Sequence, residues 1–160
     1  MPGISISGGD KWKKALEKYA KEPELRVGIL DGATYQGEYG TKAGQSVAEV
    51  AYWQEYGTHN KEGGEIIPPR PLFRNSIEEK KSAWLELVEN EVKRGQSLDD
   101  AFFALGETAT ADITETIKAG VNPPLSDITL ERRQLLGLTS TTPLMQTMTL
   151  IKALGYEVDK

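Results

Sequence analysis

The sequence predicts an α+β fold: a small antiparallel sheet packed against a long two-helix hairpin, with shorter helices beside it. Two observations carry this. Ser76–Arg94 and Leu98–Ala119 both repeat apolar residues at three- and four-residue steps. Little more than Gly95 and Gln96 joins them, so they should pack as antiparallel neighbours. Two strand candidates, Leu25–Leu30 and Gly155–Asp159, stand towards the two ends of the chain. At 160 residues the chain is expected to form one domain, residues 1–160, large enough to bury a core without a disulfide or metal staple.

The composition excludes several chemistries. The absence of cysteine removes disulfide scaffolds, thiolate zinc sites and cysteine nucleophiles, and a single histidine, His59, removes the paired-histidine zinc helix. No cofactor and no metal is expected, and only carboxylate or Ser/Lys chemistry is left for catalysis. MPGISISGGD has no basic stretch followed by an apolar one, so no signal peptide is expected. No run approaches the ~20 apolar residues of a membrane span. The net charge of −5 argues against broad nucleic-acid binding. Its distribution is uneven: residues 1–75 carry 10 Lys/Arg and 10 Asp/Glu, residues 76–160 carry 9 and 14, and residues 76–115 alone carry 4 and 10.

In chain order, Asp10–Lys21 reads as a short helix with Trp12, Ala15, Leu16, Tyr19 and Ala20 on one face and lysines opposite, ended by Pro23. Leu25–Leu30 is a strand closed by the Asp31-Gly32 turn pair. Gly32–Gln45, rich in glycine and without apolar periodicity, reads as a long loop. Ser46–Tyr56 is a helix with a Ser46/Glu49 capping box, its face formed by Val47, Val50, Ala51 and Gln54, and Gly57 supplies its left-handed end. A second glycine-rich loop runs from Gly57 to Gly64, and Glu65–Ile67 is a short strand. In Ile67–Arg74 the prolines push Ile67, Pro68 and Arg70 to extended geometry, giving a stiff strut. The strut feeds a helix from Ser76 to Arg94, capped by Ser76 and Glu79, with Ile77, Trp84, Val88 and Val92 along its seam. Ser97 caps Leu98–Ala119, whose stripe is Leu98, Phe102, Leu105, Ala109, Ile113 and Ile117, and Gly120 stops it. The chain from Val121 onward reads as irregular until a short helix, Leu144–Leu154, and the final strand.

Few residues point to chemistry. His59 lies in a glycine-rich loop with no nucleophile elbow anywhere in the chain. The acidic residues of the two long helices read as a solvated face, although such carboxylates could ligate magnesium or form an acid/base pair, as in a carboxylate-dependent hydrolase. Pro68–Pro71, PPRP, formally matches PxxP, so an adaptor role towards an SH3-like partner stays open. Arg70 and Arg74 flank the strut, placed to pair with Glu55 or with a neighbouring chain. Tyr52, Trp53 and Tyr56 are a surplus of large aromatics for one short helix beside two loops, a composition found at subunit interfaces.

Two of these segments carry a resemblance. VAEVAYWQEYGT (Val47–Thr58) followed by IPPRPLFRNSI (Ile67–Ile77) resembles the signature of the tail-completion or head–tail joining (neck) proteins of long-tailed bacteriophages, often described as minor tail components. PPLSDITLERR (Pro123–Arg133) and TPLMQT (Thr142–Thr147) follow in similar order. The chain departs from the pattern at Gln146–Met148, where that family commonly has Asp-Thr-Gly, which suggests a rebuilt last turn or an earlier helix start. The resemblance implies a non-enzymatic virion protein made in the host cytoplasm. It implies a ring of identical subunits that joins the head connector to the tail tube or tail-terminator proteins, with the genome DNA passing through and no membrane involved. The residues expected at its assembly contacts are Tyr52, Trp53, Glu55, Tyr56, Gly57 and Thr58 on the first segment, and Pro68, Pro69, Arg70, Pro71, Phe73 and Arg74 on the second. Acidic helix faces would make a DNA-facing wall repulsive, because phosphate attraction dominates DNA affinity.

Overall fold

Alternation of inward and outward residues along Glu24–Ile29 (β1) pairs that segment with Leu154–Asp159 (β6), antiparallel, from Glu24 opposite Asp159 to Ile29 opposite Leu154. These strands come from a computed structural model that describes residues 23–37, 41–141 and 148–159. The segment Asp10–Lys21 and the TPLMQT stretch lie outside the described residues. The order between the two strands is β2 (Thr34–Gln36), β3 (Ala43–Ser46), α1 (Val47–Tyr56), β4 (Thr58–His59), β5 (Glu65–Ile67), α2 (Leu72–Lys93), α3 (Leu98–Ala119), α4 (Asp127–Leu135) and α5 (Thr149–Lys152). The fold is α+β: the long antiparallel pair α2/α3 packs with the strands, and α3 lies against both β1 and β6. Antiparallel pairing is divided among three two-stranded ladders, β1–β6, β2–β3 and β4–β5.

The core forms where α1, the N-terminus of α2, the C-terminal half of α3 and the end strands converge. Val47, Ala51, Leu72, Ile113, Ile117, Val121, Leu150 and Leu154 are buried there together with Tyr35. Burial pushes the Tyr35 phenol pKa up. Val47 is fully buried because Ser46 stops the preceding strand, its hydroxyl accepting from the Glu49 backbone N–H at 3.4 Å. Along α3, Ala101, Gly106, Ala109, Ile113 and Ile117 are buried. Gly106 is needed because the Tyr156 ring of β6 lies on it: a Cβ there would stand 2.3 Å from the ring. Phe103 packs edge-on to the same ring, with centroids 6.3 Å apart. The hairpin itself is tied by polar contacts. The Ser76 hydroxyl lies 2.8 Å from the Leu72 carbonyl oxygen and 2.9 Å from the Thr116 hydroxyl, and the Trp84 indole N–H donates to Asp112 Oδ2 at 2.7 Å.

Six sequence expectations need correction. The supposed loop over Gly32–Gln45 holds the β2–β3 hairpin, and that over Gly57–Gly64 holds β4 and the turn to β5, closed by the Asn60 side chain accepting from the Gly64 N–H at 2.7 Å. The first long helix begins at Leu72, not Ser76; Ser76 is buried in its interior facing Thr116, so it caps nothing. Within the expected seam of that helix, Ile77 and Val92 are exposed instead. The stretch after Val121 contains α4, capped by Ser126, whose hydroxyl accepts from the Thr129 N–H. The described part of the last helix is Thr149–Lys152, and the final strand begins at Leu154.

Met148 holds the position before α5 with φ 54°, the non-glycine residue with left-handed backbone among those described. Met148 is the last of the three residues at which the sequence departs from the resembled pattern, and its backbone turns left-handed immediately before α5. A left-handed conformation costs a Cβ-bearing residue about 1–2 kcal/mol, part of which glycine returns as chain entropy in the unfolded state. Met148→Gly is therefore expected to raise stability by up to about 1 kcal/mol, read as a higher Tm; a lower Tm would mean that the methionine side chain packs for more than its backbone strain. At Gly106 the two effects oppose each other: alanine gains about 1 kcal/mol of helix propensity, while displacing the Tyr156 ring costs about 1–3 kcal/mol. Gly106→Ala should lower the urea midpoint, whereas Thr110→Ala, one turn away, should change it little.

Candidate functional site

Val47, Ala51 and Glu55 recur every four residues, so one face of α1 carries all three inward. A glutamate is thus buried, only 3% exposed, beside an apolar pair. Burial of a carboxylate is expensive unless every lone pair finds a donor. Its donors come from α2. That helix starts behind Pro71, which has no side-chain cap to offer, and Leu72 at its first position is fully buried. The Phe73 N–H donates to Glu55 Oε2 at 3.0 Å and the Arg74 N–H to Glu55 Oε1 at 3.1 Å. Glu55 is therefore the N-terminal cap of a different helix. Its negative charge sits where the helix dipole favours it. Arg74 completes the arrangement, its Nε 2.9 Å from Glu55 Oε1 and its NH2 donating to the Glu55 carbonyl at 2.7 Å.

One turn earlier, Arg70 makes the second knot. Its guanidinium is buried and donates to neutral acceptors: Nε to the Pro123 carbonyl at 2.7 Å, NH2 to the Pro124 carbonyl at 3.1 Å and NH1 to Gln54 Oε1 at 3.1 Å. Its backbone N–H donates to the Gln54 carbonyl. Burial pushes the Arg70 pKa down; the charge of Glu65 opposes that shift and Arg133 adds to it. The rigid planar fork of arginine suits three acceptors fixed by backbone and helix. Between the two knots, Gly57 closes α1 with φ 74° and its N–H on the Trp53 carbonyl at 2.8 Å. A Cβ at Gly57 would stand 2.8 Å from the Ile67 carbonyl oxygen and 3.0 Å from Pro69, so glycine alone lets the strut pass.

Of the residues expected at assembly contacts, the structure brings all twelve into this one region. It spends Glu55 and Arg70 on internal bonds. Trp53, Gly57, Thr58, Pro68, Pro71 and Phe73 are half-buried, and Thr58 pairs with Ile67 in the β4–β5 ladder. Tyr52, Tyr56, Pro69 and Arg74 face outward. Tyr52 and Tyr56 stand one helical turn apart with ring centroids 4.7 Å apart, and the Arg74 guanidinium lies 5.0 Å from the Tyr56 ring centroid. An exposed Tyr–Tyr–Arg cluster held rigid from behind by a buried carboxylate has the composition of an interface anchor. Sequence reasoning missed Gln54, which acts through its amide rather than as part of an apolar face, and the paired carbonyls of Pro123 and Pro124.

Elsewhere, His59 is exposed on β4, and the acidic residues of α2 and α3 are mostly exposed, with Lys93–Glu89 and Arg94–Glu91 pairs on α2. Among the described residues no helix is long and apolar enough to cross a membrane, and no three His, Asp or Glu side chains cluster to hold a metal ion. No protein-family model matches the chain, and no curated protein or solved structure is significantly similar to it.

The geometry separates the cap from the ion pair. Glu55→Ala leaves two backbone donors and an arginine without their acceptor and is expected to cost about 2–4 kcal/mol. Arg74→Ala removes a partner that is 54% exposed and should cost less than about 1 kcal/mol. Urea unfolding of both variants decides the matter: equal losses would make the ion pair, not the cap, the function of Glu55.

Proposed function

We propose that the chain is a non-enzymatic structural subunit of a long-tailed bacteriophage virion. In this reading it forms a homo-oligomeric ring at the head–tail junction or the top of the tail. The ring joins the head connector to the tail tube or its terminator and lets genome DNA pass without sequence-specific binding. What supports this most is where the resembling segments go. Val47–Thr58, Ile67–Ile77 and Pro123–Arg133 are distant in sequence yet meet at Glu55 and Arg70. Residues that resemble a family signature in three places serve one mechanical unit, as they would if the signature were a fold-defining hub rather than a chance match. The hub turns Tyr52, Tyr56 and Arg74 outward, where a neighbouring subunit can meet them.

The adaptor reading fares less well on physical grounds. Arg70, the central residue of PPRP, is buried on three acceptors, so a partner reading that motif as a free polyproline helix would have to extract it. In the ring, the acidic residues of α2 and α3 serve as a wall to which DNA does not adhere.

Deleting the coding region and imaging the lysate by electron microscopy tests the reading. Filled heads lying apart from finished tails are the expected result, and overlong tails would move the role to tail termination. Normal infectious particles would overturn it.

A further inference from the structure

Among the described residues the β1–β6 ladder has two strands, so each strand has a second edge. Main-chain bonding in an antiparallel pair alternates from residue to residue. The Leu30 N–H donates to the Ala153 carbonyl at 3.1 Å, and the same register sets Gly28 against Gly155 and Arg26 against Glu157. Those residues spend their main-chain groups on β6. Leu25, Val27 and Ile29 turn their N–H and C=O groups the other way, to the outer edge of β1, where none meets a main-chain partner among the described residues. Their side chains lie on the inner face, where Val27 and Ile29 pack against the core.

That edge borders open space. A cleft of about 220 Å³ is lined by residues 26–31 and by Glu157. A hollow in the middle of a ladder face is walled by alternate residues of both strands, whereas this one follows successive residues of β1 and takes a single residue from β6. Gly28 lies bare along it: a Cβ there would have nothing within 4 Å, while the facing Gly155 is covered by Leu30. The rim is acidic. Arg26 is held by Glu24 at 3.1 Å and by Asp159 at 3.0 Å, which leaves Asp31 and Glu157 as the charges at the cleft.

We propose that the outer edge of β1 receives an extended segment of a partner protein as a third strand, one in which basic and apolar residues alternate. A strand edge presents a row of main-chain donors and acceptors, and strand addition is how such an edge binds a partner. Residues side by side in neighbouring strands share a face. Side chains of the added strand that continue the inner face of Val27 and Ile29 are therefore apolar. Those that continue the outer face stand beside Gly28, whose bare surface gives a lysine or arginine its path to Glu157. Opposite charge selects such a segment over an acidic one and makes its binding weaker at high salt. The inference does not rest on the ring reading: this edge recognises an added strand whatever larger assembly the chain joins.

Amide hydrogen exchange of the full-length chain, resolved by residue with NMR, tests it. In the free chain the Val27 and Ile29 N–H groups should exchange about tenfold or more faster than that of Gly28, which is bonded to β6. Equal protection would mean that the edge is already covered and overturns the proposal. The probe is a blocked hexapeptide of alternating lysine and valine. At about 1 mM it should slow exchange at Val27 and Ile29 about threefold or more and leave Gly28 unchanged. A peptide of three lysines followed by three valines should slow it clearly less, and one alternating glutamate and valine not at all. Unchanged exchange at Val27 and Ile29, or the same slowing by all three peptides, overturns the proposal. Glu157→Lys replaces an exposed side chain and should keep the wild-type Tm while losing most of the slowing. Full slowing in that variant removes the charge argument and the basic partner with it. Slowing that grows with chain concentration alone assigns the edge to another copy of this chain and likewise overturns the proposal.

Discussion

The N-terminus of α2 has to begin inside the protein, and its own sequence has nothing to begin it with. Leu72 is fully buried at the first helical position, behind a proline with no side-chain oxygen. Four backbone N–H groups at such an end need acceptors. The Glu55 carboxylate supplies two of them from another helix, charge-assisted and aligned with the dipole. Everything from residue 55 to residue 74 is therefore a closed loop, shut at both ends by the same contact. Within it the β4–β5 hairpin needs only two register pairs to keep its shape.

Arg70 extends this constraint to the exit of the hairpin. By donating to Pro123 and Pro124 it ties the exit of α3 to the strut that enters α2, and by bonding Gln54 it ties both to α1. A buried guanidinium is costly without acceptors, and neutral carbonyls satisfy it without adding a second buried charge. The two knots use neighbouring residues of α1, Gln54 and Glu55, each holding one arginine of the strut. Three chain segments thus reach a common geometry through polar bonds, while the apolar core beneath supplies the bulk of the burial.

Much of this was legible in the sequence, and the failures share a cause. α1 and α3 were readable because capping residues, apolar spacing and terminal glycines agree at both ends. The start of α2 was not, because Ser76 and Glu79 imitate a local cap while the real cap is 18 residues away from Phe73. A local signal cannot reveal a partner supplied by tertiary structure. Yet a trace existed: Val47, Ala51 and Glu55 share a four-residue step, which places the glutamate on the buried face and demands an explanation. The short hairpins escaped because ladders of two pairs leave no periodic pattern to read. The site residues were identified by type, but burial sorted them into internal ties, Glu55 and Arg70, and outward groups, Tyr52, Tyr56 and Arg74.

The same sorting divides the molecule mechanically. The buried residues of α2 are Leu72 and Ser76, both in its first two turns, whereas those of α3 run from Ala101 to Ile117. Past Ser76, α2 packs on α3, with the Trp84–Asp112 bond as a polar tie. Local stability follows local burial, so the hub is firm and the outer length of α2 is the part whose order a partner can most strengthen. The hub fixes the position of the hairpin, while the outer length of α2 keeps Ile77, Leu85 and Val92 exposed.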